Sequence, residues 1–323
     1  MSKKRDLAPY SFIAPHLILF VLFFLIPAVV GIYVSFTKWD IYSAPQWVGF
    51  KNYYEILVNS ESVFYEQFWN GLRNTFVFSV LTIPFCIAIP LLFAVLLNTK
   101  PKGYKFFQSV FYVPGLLSIS AVMLAWNFMF NKTFGLVNNM TNLDINWGST
   151  FPWYWIALII ITVWWCIGSN MVIYQAAIAS VPTDYYEAAA IDGAGALKQF
   201  FKITLPSIKS QILYTLVMTT IAQFNIYGQP LMFNNGGPNG ANRVLLMYIR
   251  ELGFGQGSSL AGMASAMAAM LGICILFICI LQAVLSRDED EVLAKKQRKK
   301  NKKLNKAKMK AAGATYNLSE GGK

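Results

Sequence analysis

Residues 152–180 read PWYWIALIIITVWWCIGSNMVIYQAAIAS, an apolar stretch without a single Asp, Glu, Lys or Arg. A helix that crosses the hydrocarbon core of a bilayer needs about 20 mostly apolar residues. Because lipid offers no hydrogen-bond partners, such a segment must pair its own backbone groups as an α-helix. This stretch therefore predicts a transmembrane helix and places the chain among integral membrane proteins.

Five more stretches have similar length and polarity, and only 13% of the residues of the chain are charged, against about 25% in a soluble domain. The period-two alternation of a membrane barrel is absent. We predict an all-α membrane protein with an N-terminal part containing the first helix (1–71), a five-helix core (72–285) and a basic tail expected to be disordered (286–323). The six predicted spans are residues 11–37, 75–98, 106–130, 152–180, 209–233 and 258–285.

The cationic residues of the connecting segments are distributed unevenly. Twelve of the 27 Lys and Arg residues follow Leu285, and most others lie before residue 6, in 99–105 or in 181–209. The positive-inside rule then puts both termini and the 181–209 loop in the cytoplasm of a bacterial cell. The net charge of +12 comes mainly from the tail, away from any aromatic stacking platform, so we predict no nucleic-acid partner.

The predicted spans contain no carboxylate, and the single histidine, His16, lies near the cytoplasmic end of the first. Ion-coupled transporters usually carry ionisable relays inside the membrane. An ion-driven secondary transporter is therefore disfavoured, although sodium sites built from backbone carbonyls stay open. The chain has no G-x-x-x-x-G-K-[ST] loop for nucleotide phosphates. Its four cysteines lie in apolar runs without ligand spacing, so neither a metal site nor a disulfide is predicted.

Neutral polar side chains are concentrated in the fourth and fifth predicted spans. Amides and phenols both donate and accept hydrogen bonds, which suits a neutral polyhydroxyl ligand. Hydrogen bonding between helices explains them equally well. The candidate substrate-binding residues are Ser169, Asn170, Gln223, Asn225 and Tyr227.

The fifth span poses a geometric problem. In a regular helix Gln223 and Tyr227 share one face, whereas Asn225 and Gln229 lie on nearly the opposite face. Both pairs then cannot face one cavity. Either one pair contacts a neighbouring helix, or the helix breaks near 228–230, where a glycine and a proline occur.

Residues 182–207, PTDYYEAAAIDGAGALKQFFKITLPS, form the longest predicted cytoplasmic loop. Thr183 is a candidate helix cap, Gly193 can end that helix in the left-handed conformation, and Pro206 is expected to stop a second helix that starts at Ala194. Two short helices at an angle result. An amphipathic helix lying on the membrane surface is the alternative.

This loop resembles a motif of the membrane subunits of ATP-binding-cassette importers. The family pattern is E-A-A, three residues, G, nine residues, I-x-L-P, and it is met here from Glu187 to Pro206. The resemblance implies a type I importer permease fold with a cytoplasmic coupling helix between helices four and five, which docks on an ATP-binding subunit. The coupling residues it implies are Glu187, Ala188, Ala189, Asp192 and Gly193.

Other segments are similar to the carbohydrate-uptake branch of these permeases, namely FIAPHLILFVLFFLIP (12–27), FTKWD (36–40), VGFKNY (48–53), NTFVFSVLTIP (74–84) and NNGGPNGANRVLLMYI (234–249). The resemblance implies the permease subunit of an ATP-driven, binding-protein-dependent sugar or oligosaccharide importer, not itself an enzyme. It also implies sugar contacts from helices four and five.

The implied partners are a second homologous permease subunit in a heterodimer, two ATP-binding subunits that hold ATP and magnesium, and an extracytoplasmic solute-binding protein. This chain would hold no cofactor of its own. The alternatives are a permease for another polar solute such as glycerol phosphate, an ion-coupled secondary sugar transporter, and a membrane scaffold whose loop recruits a cytoplasmic protein.

Overall fold

The structure, a computed structural model, describes residues 8–255 and 260–285. The predicted tail and the first residues of the sixth predicted span lie outside this part. The chain divides into two units, Met1–Phe277 and Ile278–Lys323, and of the second unit only the end of the last helix is described. The fold is helical, as predicted.

Four helical stretches within the described ranges are long and apolar enough to cross a membrane. In the first, a π-helical turn lies between two α-helices, and most side chains from Phe12 onward are exposed in the isolated chain. The four stretches are α1 (Ala8–Phe20) with the π-turn Val21–Leu25 and α2 (Ile26–Ser35), then α4 (Val63–Asn98), α8 (Trp153–Ala179) and α15 (Ala261–Leu285).

The second predicted span starts too late in the sequence. Helix α4 begins at Val63, twelve residues before the predicted start at residue 75, and Ser62 caps it by accepting a hydrogen bond from the backbone N–H of Phe64 at 3.3 Å. Because residues 63–74 include several polar side chains, hydropathy alone did not predict this part of the helix. The predicted division between residues 71 and 72 thus lies inside α4.

The third predicted span, 106–130, is not one straight helix. Helix α5 (Tyr104–Tyr112) and a 3₁₀ turn (Val113–Leu116) are followed by α6 (Ile119–Met129) after a bend of 104°. Pro114 has no backbone N–H to continue the ladder. Ser118 is extended and starts the new helix by accepting the N–H of Ala121 at 3.3 Å.

The fifth predicted span, 209–233, is interrupted as well. Helix α12 (Lys209–Phe224) ends before a non-helical segment at residues 225–227, and α13 (Gly228–Asn234) follows. Neither piece alone is long enough to cross the membrane. Within the described residues, four of the six predicted spans are single helical stretches, one is the bent α5–α6 pair, and one is the interrupted α12–α13 pair.

The 182–207 loop forms the two short helical stretches that were predicted. Helix α9 (Thr183–Ile191) ends two residues before Gly193, whose φ of 72° is left-handed as expected. The predicted cap is wrong, because Pro182 occupies the cap position without a side-chain hydrogen bond. Pro206 does not end the second stretch, which runs through α10 (Ala196–Gln199), the π-turn Phe200–Thr204 and α11 (Leu205–Ser207).

Pro206 is the second residue of α11 and directly follows the π-turn Phe200–Thr204 and Leu205. A short irregularity at Ile208 then leads into α12. The loop and the fifth span are therefore joined almost continuously.

The remaining elements follow the ends of the long helices. Two strands of two residues each, β1 (Thr37–Lys38) and β2 (Gln46–Trp47), pair in antiparallel orientation. Short helices complete the connections: α3 (Lys51–Leu57), α7 (Leu136–Thr141), the 3₁₀ turn Pro238–Gly240 and α14 (Leu245–Phe254).

The core forms where α4, α8 and α12 pack together. Gly168 of α8 allows a close approach to the backbone of Tyr112, since a Cβ there would lie 2.7 Å from the Tyr112 Cα. Hydrogen bonds supplement this packing: the hydroxyls of Tyr174 and Thr215 are 2.5 Å apart and join α8 to α12. Small residues and interhelical hydrogen bonds are the usual means of association in lipid.

Candidate functional site

A cavity of about 530 Å³ opens at the break between α12 and α13. Its size lies within the usual range for small-molecule sites. Residues of α6, α8 and α14 complete its wall. The lining consists of Ile119, Ser120, Trp165, Cys166, Ala222, Gln223, Asn225, Ile226, Tyr227, Gly228, Gln229, Leu231, Met232 and Arg250.

The break resolves the geometric problem of the fifth span. Tyr227 adopts φ −155° and ψ −41°, which no regular helix contains. As a result Gln223, Asn225, Tyr227 and Gln229 all line the same cavity. Of the two alternatives left open by the sequence, the broken helix is the one observed.

Gly228 permits this arrangement. A Cβ at this position would overlap the side chain of Ile119 on α6. The missing side chain therefore allows α13 to lie directly against α6.

Two amides of the cavity wall are buried and unpaired. The side chains of Gln223 and Gln229 are 3% and 7% exposed, and neither has a hydrogen-bond partner among the described residues. The amide atoms of both residues are absent from the fully buried, unpaired polar atoms of the described chain, so they reach the cavity. A ligand with hydroxyl groups can therefore hydrogen-bond to both of them. Asn225 is exposed and already donates to the carbonyl of Ile221 at 2.8 Å.

The two candidates on α8 lie outside the cavity wall. Asn170 is buried and donates to the carbonyl of Cys86 at 2.9 Å and to the hydroxyl of Thr219 at 3.2 Å, which joins α8 to α4 and α12. The exposed Ser169 donates to the carbonyl of Cys166 one turn earlier, at 3.1 Å. In this conformation Asn170 acts as an interhelical bridge.

Two residues of the wall, Trp165 and Arg250, were not predicted from the sequence. Trp165 lines the cavity and donates its indole N–H to the Leu117 carbonyl at 3.3 Å, at the bend before α6. Arg250 comes from α14, and its guanidinium lies 5.3 Å from the ring centroid of Tyr227. Neither contact has a local sequence signal, because each depends on a bend elsewhere in the chain.

A second cavity of about 420 Å³ adjoins the first and shares Tyr227, Leu231 and Arg250 with it. Its other charged residues are Arg243 and Glu251, which form an ion pair. Arg243 also lies over the ring of Tyr248, 4.6 Å from its centroid.

The candidate coupling residues form one exposed surface at the end of α9. Glu187, Ala188, Asp192 and Gly193 are exposed and Ala189 is half-buried. Neither carboxylate has an ion-pair partner in the described part of the chain. Nearby Ile191 and Leu197 are 87% and 77% exposed. Large apolar side chains exposed beside unpaired acids are typical of a surface that binds another protein.

Helix α9 is fixed to the rest of the loop by a hydrogen bond. The hydroxyls of Tyr186 and Thr204 are 3.0 Å apart, which joins α9 to the π-turn before α11. The coupling surface is thereby connected through α11 to α12, the helix that ends at the cavity.

The sequence model of the family described as "Binding-protein-dependent transport system inner membrane component" matches residues 63–290. The chain belongs to this family. The match starts at the first residue of α4 and includes all of α15, so it contains both the cavity and the 182–207 loop of this inner membrane component.

The relatives of this inner membrane component are named as transporter permeases. The probable ABC transporter permease protein YesP of Bacillus subtilis strain 168 is 32% identical over 289 residues, 86% of this chain and 90% of the relative. The probable starch degradation products transport system permease protein AmyD of Thermoanaerobacterium thermosulfurigenes is 31% identical, covering 89% and 96%.

A solved structure has the same fold. It is a bacterial alginate ABC transporter in complex with an alginate pentasaccharide-bound periplasmic protein; the similar chain is 25% identical, with a TM-score of 0.73 and coverage of 88% of this chain and 95% of that chain. The resemblance to importer permeases is confirmed, as is the prediction of a multi-pass membrane protein.

Proposed function

We propose that this chain forms half of the translocation path of an ATP-driven oligosaccharide importer and holds part of the sugar at the α12–α13 break. The observation that carries the proposal is the pair of buried, unpaired amides, Gln223 and Gln229, on one cavity wall. Sugar hydroxyls both donate and accept hydrogen bonds, as amides do. The rings of Trp165 and Tyr227 on the same wall suit the apolar faces of a sugar.

The names of the relatives support the substrate class. AmyD is named for starch degradation products, and the similar solved chain belongs to an alginate transporter. Both cargoes are carbohydrates.

In this proposal, α12 transmits the movement of the ATP-binding subunit to the cargo site. An ATP-binding subunit would dock on Glu187, Ala188, Ala189, Asp192 and Gly193, and its movement would pass through the Tyr186–Thr204 contact and α11 into α12. The 16 residues of α12 span about 24 Å. A displacement at the coupling surface would therefore change the geometry of the cavity at the far end of the same helix.

The complete importer would contain further chains. A second, homologous permease would supply the other half of the path, two ATP-binding subunits would hold ATP and magnesium, and an extracytoplasmic solute-binding protein would deliver the sugar. The alternating access of such an assembly requires each partner to bind the inward- and outward-facing states with different affinity. We propose that both termini and the loop containing α9 face the cytoplasm.

Charge reversal at the coupling surface tests the proposal. Glu187→Lys puts a cation where the docking surface offers an acid, and ATP-dependent uptake of maltotriose or arabinotriose by proteoliposomes of the complete importer should fall about tenfold or more. The matched control is Glu61→Lys, an exposed acid of another loop.

The control should transport normally, and both variants should insert and purify with equal yield. Normal ATP-dependent uptake by Glu187→Lys would contradict the assignment of the coupling surface. Equal uptake with and without ATP would contradict an ATP-driven importer.

A further inference from the structure

The charged side chains of the two adjoining cavities do not balance. Three ionisable groups with a formal charge line them: Arg243, Arg250 and Glu251. Glu251 is engaged by Arg243. Arg250 has no carboxylate partner in the described part of the chain, and residues 256–259, which follow this region, contain no acid either. The lining of the two cavities therefore has a net formal charge of +1, carried by Arg250.

Arg250 is exposed and lies where the two cavities meet. Its guanidinium lies 5.3 Å from the ring centroid of Tyr227, and both residues belong to the walls of both cavities. A contact with an aromatic face leaves the N–H groups at the edge of the guanidinium plane available. The free edge of such a fork matches a carboxylate or a phosphate with two parallel hydrogen bonds.

The other polar groups near Arg250 are neutral. Gln223 and Gln229 are unpaired amides, and Asn225 and Tyr227 add an amide and a phenol. This combination offers hydroxyl recognition on one side and a single cation on the other. A neutral sugar would use the amides alone and leave the cation without a counter-charge.

We propose, on the basis of the function proposed above, that Arg250 selects a polyol that carries an anionic group. The shared chemistry is a planar or tetrahedral oxyanion next to several hydroxyls. Two sources supply it: the carboxylate of a uronic acid in an oligosaccharide, and the phosphate ester of a small polyol.

Two matched pairs of probes distinguish the sources. Trigalacturonate is compared with its methyl ester, and sn-glycerol 3-phosphate with glycerol; maltotriose and arabinotriose serve as additional neutral probes. ATP-dependent uptake is measured in proteoliposomes of the complete importer containing the wild-type chain, Arg250→Gln or Arg250→Lys. Lys132→Gln is the matched control, since Lys132 is an exposed cation that pairs with Asp144 away from both cavities.

The wild type should take up the anionic member of one pair in preference to the neutral member. Arg250→Gln should lower uptake of that anion by roughly 10- to 100-fold, because a hydrogen bond to a charged group is lost, and should lower uptake of a neutral probe by a much smaller factor. Arg250→Lys should be intermediate, since it keeps the charge and loses the fork, and Lys132→Gln should match the wild type.

Uptake of neutral probes only, or an equal loss of charged and neutral uptake in Arg250→Gln, would overturn the role of Arg250. In the first case oligosaccharide uptake still stands. Absence of uptake of every probe by the wild type would instead contradict the proposed function itself.

Discussion

At the scale of single residues, the hydrogen bonds of an amide separate a structural side chain from one that is free for a ligand. Asn170 donates to Cys86 and Thr219, and Asn225 donates to Ile221. Gln223 and Gln229 have no such partners among the described residues, although they are buried. Of these four side chains, the two glutamines are therefore the ones that a cargo can satisfy.

Alanine substitutions should separate these two roles. Gln223→Ala and Gln229→Ala should each raise the KM for oligosaccharide uptake about three- to tenfold and leave the Tm of the purified complex unchanged, because each removes one hydrogen bond to the cargo. Uptake kinetics and thermal unfolding are measured on the same preparations.

Asn170→Ala serves as the matched comparison. It should destabilise the complex by about 1 kcal/mol and leave the KM unchanged, because it removes a bond between helices. A reversed pattern, with KM changed only by Asn170→Ala, would move the sugar contacts from the α12–α13 break to α8.

At the scale of elements, the packing of α13 against α6 depends on the contact between Gly228 and Ile119. Because α13 lies against α6 at this point, the wall of the cavity depends on a glycine in one element and a branched side chain in another. A change to either residue alters the fit between the two helices.

The contact between Gly228 and Ile119 predicts that a second substitution restores the uptake lost through a first. Gly228→Ala introduces a methyl group into the space of the Ile119 side chain, and we expect uptake to fall about tenfold as α13 is displaced, in line with the 1–3 kcal/mol cost of overpacking. Adding Ile119→Ala should restore most of the uptake, whereas Ile119→Ala alone should have a small effect. Proteoliposome assays of the three variants measure this; loss of uptake in the double variant would show that the contact is not the cause.

The elements also show how far the sequence determines the fold. The bounds of α8 were predicted to within one residue at each end, because that helix is apolar throughout its length. The bend after Pro114 and the break at 225–227 lie inside apolar segments, and hydropathy does not respond to a change in backbone direction. Gly228 and Pro230 did signal the second break, but only as one of two alternatives.

The residues of the cavity wall were predictable from the sequence to a similar degree. Gln223, Asn225 and Tyr227 were found from residue type, since a polar side chain in an apolar helix needs an explanation. Arg250 was not, because its place in the wall depends on how α14 packs beside the broken helix. Ser169 and Asn170 had the same residue chemistry as the others and lie outside the cavity.

At the scale of the whole molecule, the coupling surface precedes the start of α12 in the chain, and the cavity lies at the end of this helix. In the proposed orientation the coupling surface faces the cytoplasm. The cytoplasmic side follows from the distribution of Lys and Arg among the loops. The ion pair between Lys132 and Asp144 would then lie in an outer loop, before α8.

Cysteine labelling tests the orientation. With the four native cysteines replaced by alanine, Met140→Cys in α7 should react with a membrane-impermeant maleimide in intact cells, because this exposed position lies outside the cell in the proposed orientation. Lys102→Cys, in the exposed loop before α5, should react only after the cells are permeabilised. Labelling of Lys102→Cys in intact cells would invert the proposed topology.

The break between α12 and α13 has an evolutionary consequence. Residues 223–229 supply four polar or aromatic side chains of the cavity wall, whereas the coupling surface occupies 187–193. Substitutions in the first segment can alter cargo preference without changing the surface proposed to bind the ATP-binding subunit. Permeases with a common ancestor can therefore acquire different cargoes while keeping the same ATP-binding partner.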